Sequence, residues 1–193
     1  KIEKKKAKRH PSAPFITSTL QQEASRKLGF SVKQTMVIAQ QLYEGMQYGE
    51  HHSGLITYMR IDSYNLSYEF LKKVPKVIEK LYGKEYCLSK PRIFTKKAKG
   101  AQEAHEAIRP THAKKTPADL KKHLDPQQYK LYKIIWERTI ASQMPEAELD
   151  TTTVTVEANK DYELVAKGPD VPIAGLMKVY VEGTDHPEDA LSG

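Results

Sequence analysis

The sequence predicts an α+β fold, mainly α. Helical periodicity with start and stop signals runs through roughly the first 145 residues, and alternating periodicity takes over after Pro145. The charge changes sign at the same place: residues 1–143 carry a net +15 and residues 144–193 a net −8, which together give the +7 of the 193-residue chain. These observations imply a basic helical domain followed by an acidic antiparallel β segment.

Residues 1–10, KIEKKKAKRH, form a charge run suited to a solvated strand or a frayed end. Ser18 or Thr19 can cap a first helix, with Gln21 or Gln22 completing a capping box, Leu20, Ala24 and Leu28 on one face, and Gly29 as the stop. Ser31 caps a second helix, with Gln34 three residues on, an apolar stripe of Val32, Met36, Ala39 and Tyr43, and Gly45 at its end. Two helices joined through Gly29-Phe30-Ser31 resemble a helix-turn-helix.

Residues 46–53 read as a loop. The β-branched and aromatic content of Gly54-Leu55-Ile56-Thr57-Tyr58-Met59 predicts a short strand. A helix from about Tyr68 to Tyr82 follows, capped by Ser67, with Leu71, Val74, Ile78 and Leu81 on one face and Pro75 expected to kink or interrupt it. Residues 84–100 read as a basic loop that includes Lys96, Lys97 and Lys99. Thr116-Pro117-Ala118-Asp119 and Asp125-Pro126-Gln127-Gln128 both spell helix starts. The second opens a helix to about Ser142 that buries Leu131, Ile134, Ile135 and Trp136. Thr151–Glu157 and Tyr162–Lys167 predict a hairpin, Leu176–Glu182 a further extended stretch, and the rest an acidic tail expected to be disordered.

Composition narrows the function classes. No apolar run approaches the roughly 18 residues of a membrane-spanning helix. The single cysteine, Cys87, forbids an internal disulfide, reads as an inert thiol and fits a reducing cytoplasm. His51-His52 has no further ligand at a metal-like spacing. The start at Lys1, with no signal-peptide core behind it, suggests an internal fragment. The basic part suits a polyanion, because lysine and arginine beside phosphates release counterions and give salt-sensitive affinity for nucleic acid.

One tyrosine among the eleven does not stand out by itself; Tyr58 is singled out by a family resemblance of the run in which it sits, Gly54-Leu55-Ile56-Thr57-Tyr58-Met59-Arg60-Ile61-Asp62-Ser63. A phenol has a pKa of about 10, so as a nucleophile it needs a cationic or basic setting. Residues i and i+2 of an extended segment share a face, so Tyr58 and Arg60 can address one phosphate. A guanidinium stays charged and offers forked donors to a phosphoryl-transfer transition state.

This run closely resembles the active-site motif of bacterial type IA DNA topoisomerases. PSAPFITSTLQQEASRKLGFSVKQTMVIAQQLYEG, residues 11–45, and Gln102-Glu103-Ala104-His105-Glu106-Ala107-Ile108-Arg109-Pro110 resemble two further stretches of that family, in the same order. The resemblance spans about residues 11–180. It implies Tyr58 as the nucleophile, Arg60 and His105 as catalytic partners at the scissile phosphate, and Asp62 as a supporting acid that orients Arg60. Glu103, Glu106 and Arg109 fall to scaffold or DNA contacts. The family usually has threonine where this chain has Ile61.

The resemblance also implies the architecture: residues 18–145 as a helical, winged-helix-like (CAP-like) domain bearing the tyrosine, and residues 1–17 and 146–193 as two parts of a β-rich arch domain. It implies relaxation of negatively supercoiled DNA, through a 5′-phosphotyrosyl intermediate on single-stranded regions and without ATP, in a cytoplasmic, nucleoid-associated enzyme. Mg2+ is expected in a toprim domain of the same polypeptide, through an Asp-x-Asp-x-Asp cluster that this sequence lacks, so the chain alone is expected to be inactive. The alternative is a non-catalytic DNA-binding helix-turn-helix module. A tyrosine recombinase or a relaxase would need arginine and histidine motifs that are absent here.

Overall fold

The computed structural model describes residues 2–48, 51–94, 105–157 and 163–181; for residues 46–48, 51, 52, 157, 163, 169 and 170 it describes the backbone alone. Lys96, Lys97, Lys99, the start of the histidine motif with Glu103, the hairpin turn and the acidic tail therefore lie outside the described residues. The elements in chain order are β1 (Ile2–Arg9), α1 (Thr17–Leu28), α2 (Val32–Glu44), β2 (Met46–Tyr48), β3 (His51–Ser53), α3 (Tyr68–Leu71), α4 (Val74–Tyr82), α5 (Pro117–Leu120), α6 (Pro126–Ser142), β4 (Ala147–Glu157) and β5 (Glu163–Ile173). The protein is mixed α and β, with an antiparallel sheet of order β1-β4-β5 and a two-stranded β2-β3 hairpin.

The charge run at the start is a strand. β1 pairs along its whole length with β4, from Ile2 opposite Val154 to Arg9 opposite Ala147. Its side chains are mostly exposed, as a lysine-rich edge strand requires. β4 begins inside the body, where Ala147 and Leu149 are buried, and runs outward with β5, where Val156, Leu164 and Val165 are exposed. The three strands form a ribbon that projects from the helices.

Four helix starts, at Ser31, Ser67, Thr116 and Asp125, follow the sequence closely and one does not. Ser31 accepts the Gln34 N–H at 3.1 Å, and Asp125 accepts the N–H groups of Gln127 and Gln128 at 2.8 Å each. α1 is capped by neither Ser18 nor Thr19: its N-cap is Ile16, and Thr19 instead reaches back to accept the Ile16 N–H at 3.0 Å. Gly29, with φ of 67°, ends α1 in the left-handed conformation that a side chain resists.

α6 is the central post of the core. Leu131, Ile134, Ile135, Trp136 and Ile140 are buried, and α1, α2 and α5 pack on it. Trp136 Nε1–H donates to the Ala113 carbonyl at 2.8 Å and Tyr132 O–H to Lys115 at 2.6 Å, so the turn before α5 is fastened to this helix. Arg92, in the stretch read as a basic loop, satisfies the end of α6: its Nη1 donates at 2.8 Å to the carbonyls of both Ser142 and Met144.

Four expectations change and one interruption falls as expected. Gly54–Met59 forms no strand and makes only the isolated bridge of Ile56 with Pro110, because its neighbours are a helix end and a loop rather than a sheet edge. The 68–82 helix is interrupted near Pro75, as expected, into α3 and α4, with Pro75 in the first turn of α4, where a proline lacks no needed N–H. In the stretch read as a loop, Met46–Tyr48 and His51–Ser53 pair as antiparallel strands, and the stretch from Leu176 opens in a 3₁₀ turn, Gly175–Lys178. On α2 the buried face is Thr35, Met36, Ile38, Ala39 and Leu42, and Val32 and Tyr43 face outward, because α1 and α6 cover the other side.

A buried polar cluster joins the chain's last described residues to the helices. Tyr180 O–H donates to Glu23 and also lies 3.3 Å from Arg138 Nη1. Arg138 Nε–H donates to the Ala13 carbonyl at 2.7 Å, and Lys27 Nζ lies 3.4 Å from Glu23 and 3.9 Å from the Tyr180 ring centroid. Burial, reinforced by the Glu23 carboxylate against the pull of Arg138, raises the Tyr180 phenol far above its ordinary pKa and keeps it a donor. Tyr180→Phe keeps the ring and removes this donor; we expect a loss of about 1–3 kcal/mol in urea-unfolding stability, the usual cost of removing a hydrogen bond to a buried charged group.

Candidate active site

Tyr58 lies in an irregular stretch between β3 and α3, residues 54–67, that has no ladder of its own. Buried backbone must still pair, and here it pairs with three neighbours. Leu55 N–H donates to the Leu42 carbonyl at the end of α2 at 2.8 Å. Thr57 N–H donates to the Arg109 carbonyl at 2.9 Å and Thr111 N–H to Leu55 at 2.9 Å, which sets the tyrosine motif alongside the histidine motif. Ile61 accepts the Thr17 N–H at 3.0 Å, at the first turn of α1.

Side-chain hydroxyls complete the pairing. Thr57 Oγ1 donates to the Ala107 carbonyl at 2.6 Å and accepts the Arg109 N–H at 3.0 Å; Thr111 Oγ1 donates to Gly54 at 2.7 Å. Ser63 Oγ donates to the His105 carbonyl at 2.7 Å, so the backbone at His105 is tied to the segment that follows the tyrosine.

Side chains alternate across this stretch. Leu55, Ile56 and Met59 are buried, Met59 at 0% exposure, whereas Tyr58 is 49% exposed and Arg60 is exposed. Tyr58 and Arg60 are thus both exposed on either side of the buried Met59, without the expected strand. The Tyr58 ring meets the Tyr43 ring edge-on, with centroids 5.4 Å apart and planes at 66°. Arg60 lines a groove with Thr17, Ser18, Gln21 and Asp62, and another along α2 with Val32, Val37 and Gln40. Asp62 is exposed on the first of these grooves, and His105 is exposed where the described chain resumes.

Beneath these residues sits an ion pair. Arg109 is 9% exposed; its Nε–H donates to Glu106, its Nη1 to the Pro110 carbonyl at 2.9 Å, and its guanidinium lies 4.3 Å from the Phe70 ring centroid. Glu106 also accepts the Ser67 N–H at 3.2 Å, at the cap of α3. Glu106 and Arg109 are scaffold, in line with the sequence expectation. Burial alone raises the Glu106 carboxyl, but hydrogen bonds and charge from Arg109, with the Ser67 bonds, outweigh it and leave the pKa below its ordinary value.

Sequence reasoning passed over Tyr43, Thr17, Thr57, Ser63 and Thr111. Tyr43 fits an apolar stripe by spacing, and nothing local marks a threonine whose partners lie about 40 to 57 positions away. Among the described residues no group of three or more His, Cys, Asp or Glu side chains is placed to hold a metal, and no helix is long and apolar enough to cross a membrane.

A family model described as DNA topoisomerase matches residues 1–192. The chain belongs to the DNA topoisomerase family. DNA topoisomerase 1 of Rickettsia bellii is 53% identical over 186 residues, covering 96% of this chain and 23% of the relative. The enzyme of that name from Xylella fastidiosa strain Temecula1 is 50% identical over 186 residues, covering 96% and 23%, and that from Streptomyces coelicolor is 45% identical over 195 residues, covering 98% and 19%. Full-length topoisomerase I from Thermotoga maritima shares the fold with a TM-score of 0.78 at 37% identity, over 97% of this chain and 30% of that one. The chain thus spans about a quarter of the length of the curated relatives it matches. Membership agrees with the bacterial type IA resemblance carried by the motifs around Tyr58 and His105.

A carboxyl whose pKa falls on folding contributes stability above its unfolded value of about 4.3, and that contribution disappears as the pH falls through the lowered folded value. The Glu106–Arg109 pair therefore adds stability at neutral pH and loses it in acid. In Glu106→Gln the neutral-pH stability should drop and the acid limb flatten, as chemical denaturation between about pH 6 and about pH 3 will read; an acid limb as steep as the parent's would remove Glu106 as a cause.

Proposed function

We propose that this chain is the tyrosine-bearing part of a type IA DNA topoisomerase that relaxes negatively supercoiled DNA by transient single-strand cleavage. The observation that carries the reading is the half-exposed Tyr58, held by backbone ties on both sides in a chain of this family and flanked by exposed Arg60.

The Tyr58 phenolic oxygen attacks the phosphorus, the bond from phosphorus to the 3′ oxygen breaks, and the 5′-phosphate remains on the tyrosine. The phenolic proton passes to a base and the departing 3′ oxygen takes up a proton; exposed His105 is suited to proton transfer or to donation to a phosphate oxygen. Arg60 supplies fixed positive charge to the phosphoryl oxygens, and Asp62 on the same groove orients it. Because the phosphotyrosine conserves the energy of the broken bond, religation is the reversal and requires no ATP.

The described residues do not offer a magnesium site, so no step is routed through the ion. We assign Mg2+ to a toprim domain elsewhere in the polypeptide, which would share the site with Tyr58, and take the chain alone as inactive. Its other partner is single-stranded DNA, exposed by underwinding, in a cytoplasmic, nucleoid-associated setting.

We assign residues 18–145 to a helical domain of winged-helix-like character, and 1–17 and 146–193 to an arch domain. The pairing of β1 with β4 supports the second assignment, and the β2-β3 hairpin directly after the α1–α2 pair, in the place of a wing, supports the first.

In the full-length enzyme, a 3′-labelled oligonucleotide should give a denaturant-stable protein adduct that Tyr58→Phe abolishes, and Arg60→Ala should slow cleavage on the order of a hundredfold. An adduct that persists in Tyr58→Phe would sink the assignment. The isolated chain should bind single-stranded DNA with an affinity that falls steeply between about 50 and about 200 mM salt; flat binding by fluorescence anisotropy would contradict the electrostatic basis.

A further inference from the structure

We propose that Thr17 and Thr57 are positioning residues for the Tyr58 phenol: two hydroxyls hold the backbone on either side of it, one to the start of α1 and the other to the histidine motif. The inference rests on the reading of Tyr58 as the attacking residue.

Thr57, immediately before Tyr58, bridges two groups of another chain segment, donating to the Ala107 carbonyl at 2.6 Å and accepting the Arg109 N–H at 3.0 Å. On the other side, Thr17 Oγ1 lies 2.8 Å from the Met59 carbonyl and 3.0 Å from that of Ile61, and accepts the Ile61 N–H at 2.8 Å. Tyr58 is the one residue between the two ties. The segment is neither helix nor strand, so these bonds stand where a regular ladder would otherwise hold the backbone. The buried Met59 side chain then leaves Tyr58 one direction in which to emerge.

Only a group that is donor and acceptor at once can bridge a carbonyl and an N–H in this way, which a hydroxyl does and an isosteric methyl does not. The placement of Thr17 is also informative. A threonine near a helix start ordinarily serves as cap, yet the N-cap of α1 is Ile16, which makes no side-chain cap bond, and the Thr17 hydroxyl is turned to residues 42 and 44 positions away. The Thr17 hydroxyl thus serves the tyrosine segment, while Thr19 meets the Ile16 N–H at the helix start. Phosphoryl transfer needs the attacking oxygen close to phosphorus and in line with the leaving oxygen, so a small displacement of this backbone is felt at the phenolic oxygen.

The test uses full-length enzyme in single-turnover cleavage of an oligonucleotide at saturating concentration, with Thr17→Val, Thr17→Ser, Thr57→Val, Thr57→Ser and Tyr58→Phe compared in parallel. The valine variants should cleave on the order of tenfold to a hundredfold more slowly while oligonucleotide Kd stays within about twofold, and the serine variants should recover to within about threefold of the parent. Valine variants that cleave at the parental rate, beside an inactive Tyr58→Phe, overturn this proposal alone. So do serine variants as slow as the valine ones, or a rate loss matched by an equal loss of affinity. An adduct that persists in Tyr58→Phe overturns the reading of Tyr58 and with it this inference.

Discussion

The Thr57 hydroxyl, seated between the Ala107 carbonyl and the Arg109 amide, is the contact on which the arrangement of the site depends. It joins two stretches half a hundred residues apart that belong to no common sheet. The Glu106–Arg109 pair fixes one of those stretches from below, against Phe70 and the cap of α3, while Leu42 and Thr17 fix the other from α2 and α1. The site is thus irregular backbone held by a regular helical body. Its polar groups are met by hydroxyls, carbonyls and one guanidinium rather than by a ladder.

The helical frame was legible because its rules are local. Ser31, Asp125 and Gly29 act within one turn of themselves, and the sequence names them directly. Tyr58, Arg60, Asp62 and His105 are proposed from motifs, which carry a resemblance in chemistry but not the means of support. Thr17 and Thr111 carry no such mark, because their roles depend on which distant carbonyl folding brings to them. The strand expected at Gly54–Met59 failed for the same reason: β-branched content describes a backbone suited to extension, and a ladder also needs a partner with a free edge. Val32 and Tyr43 fit the helical period on α2 but lie on the side that no helix covers.

Charge organises the molecule at two depths. At the surface, the basic excess of residues 1–143 is spread over the helical body and the β1 edge. In the interior, Arg109 and Arg138 act as rigid multiple donors to carbonyls and to Glu106 or Tyr180, and each lies over an aromatic ring. Arg92 does similar work at the end of α6. Part of the positive charge that suits the chain to a polyanion is therefore consumed in holding the fold together.

β1 enters the helical body and β4 leaves it at one place, the pair Arg9 opposite Ala147. Gly175 marks how closely the chain passes there, since a Cβ at that position would come within 2.2 Å of the Glu146 carbonyl oxygen. The helical body is therefore joined to the sheet by three passages of the chain: β1 and β4 here, and the stretch after β5, whose Leu176 and Tyr180 are buried against the helices. β1 and β4 are held to each other by their ladder, and the third passage is held to the helices by Tyr180 through Glu23 and Arg138. Residues far from Tyr58 thus decide how the body that carries it is fastened to the sheet.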